Sequence, residues 1–412
     1  MNRTRPTCPV CHKPTRKNGT TSKGTTRWRC TTCNATTTNT RPDDHHPKRF
    51  TLFINWILGT QSRTTIAAEL GLNRRTLTRW FHNSWLIHVP RNNDPHRVHD
   101  QLFIDGTYFN TKCLLVACTL DHVVAWHWCT KEDSYNYARL FDQLQPPLIV
   151  TTDGQQGALK AIKDTWPTTK IQRCIVHVKR NVQRHITLKP KLNAGKTLRQ
   201  LSLKLLKVTT AEEAAQWTAQ LQQFYLIYRD WLNEKTYKKD VPADKVPWHA
   251  RNNKTWWYTH HRHRSAYKLL EKLVRDGHLF TYIDPPEGVS RKIKATTNCL
   301  EGGINAQIKA LARTHRGMFD EHQRIAVDWW LYLHTQLPDD PVKIARQQQW
   351  GQVALAKVTD LINHEKPDAG ARPLDSRHRG FNQEADFRIT EPRSSNTAGA
   401  RYLHQECRRT VL

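Results

Sequence analysis

The stretch Leu102-Phe-Ile-Asp-Gly-Thr-Tyr-Phe109 opens the part of the chain that decides the fold. Two further apolar, β-rich stretches follow it, Cys113-Leu-Leu-Val-Ala-Cys-Thr-Leu120 and Val123-Val-Ala-Trp-His-Trp-Cys129. Because only two or three residues separate neighbouring stretches, they predict an antiparallel meander. Helix and strand patterns then alternate, at residues 134–144, 148–152, 155–166 and 170–176. This order predicts an α/β fold built on a mixed sheet.

Strand patterns fade after residue 179, and helical patterns replace them. Residues 198–206 have helical periodicity, Thr210 and Glu213 have capping-box spacing, and a further helix ends at Gly277. We therefore expect an all-helical insertion at residues 186–295. Helices from Leu300 and at 321–333 follow within residues 296–337. The tail, residues 338–412, has some helix near 342–362, and we expect its last 45 or so residues to be flexible.

The composition indicates a nucleic-acid partner. The 412 residues leave room for two or three domains, and 64 lysines and arginines against 36 acids give a formal charge of +28. A pI near 9.9 favours a polyanionic partner, with a generic basic surface as the alternative. The apolar runs are too short to span a bilayer, and no signal-peptide segment is evident. We expect a cytoplasmic protein with access to DNA and without membrane association.

The first forty residues contain two Cys-x2-Cys pairs, Cys8 with Cys11 and Cys30 with Cys33. Each pair fits a tight knuckle, and two knuckles present four thiolates to one tetrahedral Zn²⁺. Residues 1–40 therefore predict a zinc ribbon with one structural zinc ion, which replaces the core that so short a segment cannot build. Basic residues on the same module, including Arg27 and Arg29, favour DNA binding as well.

Residues 46–92 predict a helix-turn-helix DNA-binding domain. The first helix has an apolar stripe formed by Phe50, Phe53, Ile54 and Ile57. Gly71 permits a turn between two shorter helices, with Ile66 and Leu70 facing inward before it and Asn73 capping the helix after it. The outward face of that last helix has three arginines suited to phosphates and base edges: Arg74, Arg75 and Arg79. An ordinary helical hairpin is the alternative.

Asp105 and Asp153 each follow a predicted buried strand and precede a glycine. A strand end is a rigid support from which a carboxylate can project into a cleft. Either Asp-Gly pair alone is equally compatible with ordinary turn chemistry. The two aspartates are therefore candidates for catalysis as a pair, and neither would be one alone.

Glu301 is the third candidate acid. It has capping-box spacing from Asn298, so a structural role at a helix start is available. Gly302 and Gly303 follow it, and each glycine costs a helix about 1 kcal/mol relative to alanine. This pair of glycines indicates close approach of another backbone or of DNA.

Several motifs resemble those of mutator-type transposases of bacterial insertion sequences: Asp105-Gly-Thr107, Thr152-Asp-Gly154, Arg173-Cys-Ile-Val-His-Val178, Thr297-Asn-Cys-Leu-Glu-Gly-Gly-Ile-Asn305 and His315-Arg-Gly-Met318. More narrowly, the chain looks like a branch of that family with an N-terminal zinc ribbon. The resemblance extends from about residue 5 to residue 337. With the element order, it implies a ribonuclease-H-like core in two parts, residues 98–185 and 296–337, on either side of the insertion.

The resemblance also implies roles for the acids. Asp105, Asp153 and Glu301 would bind two Mg²⁺ (or Mn²⁺) ions. Such a site suits phosphodiester chemistry, because two hard cations about 4 Å apart activate the attacking oxygen and stabilise the leaving oxygen. The implied partners are the terminal inverted repeats, target DNA and a second copy of the chain on paired ends, in the bacterial nucleoid. The alternatives are a non-catalytic DNA-binding regulator and a ribonuclease-H-type nuclease without strand transfer.

Cys174 and His177 match the Cys-x2-His element of the family. Two ligands are too few for zinc, so we expect a supporting role, with His177 contacting an acid or a DNA phosphate and Cys174 packed below it. Lys309 and Arg316 are candidate phosphate contacts.

Two tryptophans in the insertion, Trp256 and Trp257, adjoin His260-His-Arg-His-Arg264. They could stack on unpaired bases of DNA. Burial in the core of the insertion is the alternative.

Overall fold

The computed structural model describes residues 5–8, 10–11, 13–38, 45–109, 112–251 and 255–364. Two compact units divide them. One contains the described residues up to His88 together with those from Asp339, and the other runs from Val89 to Pro338. The last 45 or so residues, which we expect to be flexible, lie outside the described residues. Among the described residues, no helix is both long enough and apolar enough to cross a membrane.

A small antiparallel sheet begins the first unit. Its strands are β1 (Thr15–Thr20), β2 (Thr26–Cys30) and β3 (Thr36–Thr38). The hairpin of β1 and β2 pairs Thr15 with Cys30, and so brings the second Cys-x2-Cys pair next to the segment that holds the first.

Three helices follow: α1 (His46–Leu58), α2 (Arg63–Glu69) and α3 (Arg74–Phe81). The predicted apolar stripe of α1 is buried, and Asn73 caps α3 by accepting a 2.8 Å hydrogen bond from the N–H of Arg75. Ile66 is buried as expected, but the inward position predicted for Leu70 is wrong. Leu70 is 47% exposed because α2 ends at Glu69 and Leu70 already belongs to the turn.

The second unit is built on a five-stranded mixed sheet. Its strands are β4 (Gln101–Phe109), β5 (Lys112–Cys118), β6 (Val123–Cys129), β7 (Ile149–Thr152) and β8 (Lys170–Arg173), in the order β6-β5-β4-β7-β8. The first three strands form the predicted antiparallel meander, and β7 and β8 run parallel to β4. Helices α4 (Ser134–Phe141) and α5 (Gln156–Thr165) pack on a buried apolar face of this sheet. The α/β class with a mixed sheet is therefore confirmed.

The strand predicted at residues 170–176 is too long. It ends at Arg173, and α6 (Ile175–Ile186) begins two residues later. The β-branched residues of this segment favour a strand locally. Burial of Ile175, Val178 and Val182 along one face decides for the helix.

Three helices pack against one another in the insertion: α7 (Asn193–Lys204), α8 (Ala211–Asn233) and, after two short strands, α9 (His261–Arg275). The predicted capping box of Thr210 and Glu213 begins α8. The expectation of an all-helical insertion is wrong, because β9 (Lys235–Tyr237) and β10 (Trp256–Tyr258) pair antiparallel. Strands of three residues are too short for an alternating pattern to reveal them.

The chain returns from the insertion to the sheet through backbone hydrogen bonds. The N–H of Arg173 donates to the carbonyl of His278 at 2.7 Å, and the N–H of Ile175 to the carbonyl of Ala295 at 3.0 Å. One turn of π-helix (Cys299–Ile304) leads into α10 (Asn305–Thr314), and α11 (Asp320–Leu333) completes the unit. In the first unit, α12 (Pro341–Gln347) packs against α1, and α13 (Gln352–His364) follows.

Candidate functional site

Two aspartates meet where β4 and β7 run side by side. Ile104 of β4 pairs with Thr152, the last residue of β7. Asp105 and Asp153 are the next residues, so they occupy neighbouring positions. Asp153 follows the last residue of β7, as predicted. The strand-end position predicted for Asp105 is wrong, because β4 continues to Phe109.

Burial and neighbouring acids keep Asp105 partly protonated near neutral pH. Its pKa is raised to about 7, first by burial and then by the charges of Asp153 and Glu132, with Glu301 adding to them. Its Oδ2 accepts a 2.8 Å hydrogen bond from Nδ2 of Asn305. A divalent cation bound here would relieve the repulsion and favour the ionised form.

A buried arginine supports the turn at Asp153. The carbonyl oxygen of Asp153 accepts a 2.6 Å hydrogen bond from Nη2 of Arg173, and its Oδ1 accepts one of 2.9 Å from the N–H of Gln155. Gly154 has a φ of +87°, and a Cβ there would overlap the guanidinium group of Arg173. Glycine is therefore required at this position for both its backbone conformation and its lack of a side chain.

Glu301 lies on the π-helical turn, a feature frequent at functional sites. Its Oε2 accepts a 2.9 Å hydrogen bond from Nη1 of Arg180, and its Oε1 accepts one of 2.9 Å from Oγ1 of Thr297. Burial opposes ionisation of Glu301, but these hydrogen bonds and the charges of His177 and Arg180 outweigh it and lower the pKa. The capping alternative is not observed, since Asn298 makes no capping hydrogen bond.

Glu301 belongs to a different cluster from the one formed by the aspartates. Its carboxylate, the Cys174 thiol and the His177 ring offer ligand atoms that all lie within 4.8 Å of one another. Nδ1 of His177 is 3.4 Å from Oε1 of Glu301, and Cys174 is completely buried. The neighbouring thiol of Cys174 outweighs burial and raises the pKa of His177. In the described residues, the three acids do not form one ligand-sized group of this kind.

Four residues of the site were not singled out from the sequence. They are Glu132, Arg173, Arg180 and Asn305. Glu132, just after β6, has its carboxylate against Gly106, where a Cβ would overlap it. Burial and the charge of Asp153 raise the pKa of Glu132. Arg173 and Asn305 lie in the quoted motifs and Arg180 lies two residues beyond one, whereas no motif includes or adjoins Glu132.

Buried polar atoms without hydrogen-bond partners accumulate around these acids. Among the described residues they include Oγ1 of Thr107, Nε of Arg173, Nδ1 of His177 and Oδ1 of Asn305. Unpaired buried polar atoms are costly, and an absent ion or water is a common reason for them. The carboxylate and amide oxygens of this site are the ligands that Mg²⁺ or Mn²⁺ prefers, so the donor set fits such ions.

The four cysteines of the first unit form a compact cluster. Their sulfur atoms lie within 4.8 Å of one another, with several pairs at 3.4 Å. Four sulfurs at 2.3 Å from a tetrahedral zinc ion are about 3.8 Å apart. The donor set and spacing therefore fit one Zn²⁺.

The candidate DNA contacts differ in exposure. Six of these residues are exposed and Arg29 is half-buried; the exposed ones are Arg27, Arg74, Arg75, Arg79, Lys309 and Arg316. Trp256 and Trp257 are half-buried on β10. Nζ of Lys235 lies 4.3 Å from the ring centroid of Trp256, so a cation contacts this ring.

Comparison with known proteins indicates one family. Residues 123–240 match the family described as Transposase, Mutator family. The transposase for insertion sequence element IS905 of Lactococcus lactis subsp. lactis (strain IL1403) is 30% identical over 98 residues, which cover 20% of this chain and 25% of that protein. The chain thus matches about a quarter of the length of this curated relative. Its resemblance to mutator-type insertion-sequence transposases is confirmed.

The segment matched by the family model contains part of the site. Glu132, Asp153, Cys174 and His177 lie inside it, whereas Asp105, Asn305, Glu301 and the four clustered cysteines lie outside.

Proposed function

We propose that this protein is a DNA transposase of an insertion sequence, which cleaves DNA at the ends of the element and joins the freed 3′-hydroxyls to target DNA. The observation that carries the proposal is the neighbouring placement of Asp105 and Asp153 on the sheet of a chain related to mutator transposases. Glu301 is near enough to contribute to the raised pKa of Asp105. The strand order β6-β5-β4-β7-β8, in which only β5 runs antiparallel to the other four strands, supports a ribonuclease-H-like core.

Asp105, Asp153 and Glu301 are the proposed ligands of two Mg²⁺ ions. Such ions, when bound, activate the attacking oxygen and stabilise the leaving one. To bind the ions, Glu301 would give up its hydrogen bond with Arg180. Arg180, half exposed, would then be free to bind a phosphate of the DNA. His177 and Thr297 orient the Glu301 carboxylate throughout.

The reaction consists of two balanced phosphoryl transfers. In the first, a water oxygen bonds to phosphorus at the element end, and the P–O3′ bond breaks to leave a 3′-hydroxyl and a 5′-phosphate. In the second, that 3′-hydroxyl bonds to a phosphorus of target DNA, and the target's P–O3′ bond breaks. One phosphodiester bond replaces another, so no external energy source is needed for joining.

The first unit is the proposed reader of the terminal inverted repeats. The cysteine cluster fits a zinc ribbon, and α2 and α3 with the turn at Gly71 fit a helix-turn-helix. Arg74, Arg75 and Arg79 point into solvent from α3, as phosphate and base contacts require. Two copies of the chain would pair the element ends in the bacterial cytoplasm.

Lys309, Arg316 and the Gly302–Gly303 pair form the proposed DNA surface near Glu301. A Cβ at either glycine would meet no described atom within 4 Å, so the described chain does not use the space above them. We therefore propose that DNA approaches the backbone closely at these two glycines. Trp256 and Trp257 are proposed to stack on unpaired bases.

A strand-transfer assay tests the function. DNA fragments that end in pre-cut 3′-hydroxyls of the element's own termini are incubated with the purified chain, a target plasmid and Mg²⁺. A transposase joins the fragments covalently to the plasmid. Cleavage without joining identifies a nuclease, and binding without either reaction identifies a regulator.

A further inference from the structure

Asn305 occupies a particular place beside the acids. It is the first residue of α10, four residues after Glu301, and its side chain is 3% exposed. Its Nδ2 donates the 2.8 Å hydrogen bond to Oδ2 of Asp105. One amide thus connects the helix that carries Glu301 to the strand that carries Asp105.

The orientation of this amide follows from its partner. Beside a divalent cation Asp105 is ionised, and its carboxylate then only accepts hydrogen bonds. The NH₂ group of Asn305 therefore faces Asp105, since the reverse orientation would set two acceptors against each other. Oδ1 of Asn305 is consequently directed elsewhere. It is buried and has no hydrogen-bond partner among the described residues. Buried acceptors of this kind are normally satisfied, so the site lacks a donor at this atom.

We infer that Asn305 is a positioning residue of the metal site. Its NH₂ group holds the carboxylate of Asp105, and its Oδ1 accepts a hydrogen bond from a water of the cation's hydration shell. Mg²⁺ retains several waters when protein carboxylates bind it, and these waters are the donors that Oδ1 requires. The inference rests on the proposed function, because it assumes that the acids bind a divalent cation.

The role differs from a packing role in what it requires of the side chain. A packing role requires only a side chain of suitable shape, and leucine has the same branched arrangement of four heavy atoms as asparagine. A role toward the cation requires the donor and the acceptor together. Removing a residue that hydrogen-bonds a metal ligand typically lowers the metal affinity about 10- to 100-fold.

The test uses the zinc-loaded full-length chain and Mn²⁺ as the probe, with free Mn²⁺ measured by electron paramagnetic resonance. We expect Asn305→Leu to raise the Kd for Mn²⁺ about 10- to 100-fold. Asn298→Leu is the matched control, because Asn298 is exposed and makes no capping bond, and it should retain the wild-type Kd. Asp153→Asn establishes which part of the binding depends on the acids.

Asn305→Asp keeps the test decisive if the leucine variant does not fold. It preserves volume and acceptor but replaces the donor with a second anion beside Asp105. We expect Mn²⁺ to raise its unfolding temperature more than that of wild type, because the cation relieves the added repulsion. Wild-type Kd in Asn305→Leu, or a wild-type thermal shift in Asn305→Asp, would overturn the role of Asn305 alone. Absence of Asp153-dependent Mn²⁺ binding in wild type would overturn the proposed metal site as well.

Discussion

The cysteine cluster and the site of the three acids Asp105, Asp153 and Glu301 both hold several potential anions, and they do so in different ways. In the cysteine cluster the stabilising groups are local. Backbone N–H groups of Cys33 and Thr32 lower the pKa of Cys30 to about 6. At Cys33 the N–H of Ala35 acts in the same direction, but hydrogen bonds with Cys11 and Cys8 outweigh it and raise the pKa to about 12. All of these groups belong to one short module.

At the three acids the stabilising groups come from distant elements. Asn305 of α10 bonds to Asp105 of β4, and Arg180 of α6 bonds to Glu301. A buried sheet supports the acids whether or not a metal is present, whereas the cysteine module has a very small core. We therefore expect the cysteine module to require zinc in order to fold, and the acid site to require magnesium for catalysis but not for folding.

Loss of zinc should have the largest effect. Cys30→Ser removes one of four ligands, and apparent zinc-binding energies of about 10–16 kcal/mol are folding energy in such modules. We expect the zinc content to fall from one ion per chain to none, the module to unfold and binding to element ends to be lost. Metal analysis and hydrogen exchange measure this. Cys129→Ser, a half-buried thiol outside the cluster, is the control, and a full zinc complement in Cys30→Ser would contradict the account.

Loss of one acid should leave the fold and remove the chemistry. We expect Asp153→Asn to lower the rate of Mg²⁺-dependent cleavage at least about 1,000-fold, as removal of a central catalytic group does, with unchanged affinity for the element ends. Gel-based cleavage and binding assays measure the two quantities. Asp164→Asn makes the same chemical change at an exposed position on α5 and should behave as wild type. Equal losses in both variants would point to a general effect of the substitution.

Stability should depend on pH through Asp105. Its folded pKa of about 7 lies above the ordinary 3.8, so the folded state holds the proton more tightly, and the free energy of unfolding falls as the pH rises between these values. Without added Mg²⁺, we expect Asp105→Asn to raise the unfolding temperature by about 5 °C at pH 8, and by less at pH 5. Calorimetry at both pH values checks this. A gain that is equal at the two values would exclude Asp105 as the source.

The contact of Arg180 with Glu301 should have the smallest effect. The pair is half exposed, and such pairs contribute about 0.2–1 kcal/mol. Because Arg180 competes with the cation for Glu301, we expect Arg180→Gln to tighten Mn²⁺ binding about 2- to 5-fold in the absence of DNA. Arg184→Gln, exposed one turn later on α6, should leave the Kd unchanged. Weaker Mn²⁺ binding in Arg180→Gln would refute the competition.

The sequence was sufficient for the meander and for the four-cysteine cluster. Alternation and tight turns specify the strands, and the four cysteines lie within 26 residues. The sequence indicated Asp105 and Asp153 as a pair, but their neighbouring positions come from the parallel pairing of β4 with β7 and not from two strand ends, because Asp105 lies inside β4. Arg180 and Asn305 could not be predicted, since their contacts depend on how α6 meets the π-helical turn and how α10 meets β4. Ile175 and Val176 have strand propensity, and only tertiary packing shows that they begin a helix.

The most direct test of the central claim is Mg²⁺-dependent cleavage by Glu301→Ala. This acid connects the π-helical turn to the rest of the site, and it lies outside the segment matched by the family model. The account predicts that the variant binds DNA containing the element ends as wild type does, and that its cleavage does not exceed the background without Mg²⁺. Retained Mg²⁺-dependent cleavage by Glu301→Ala would contradict it.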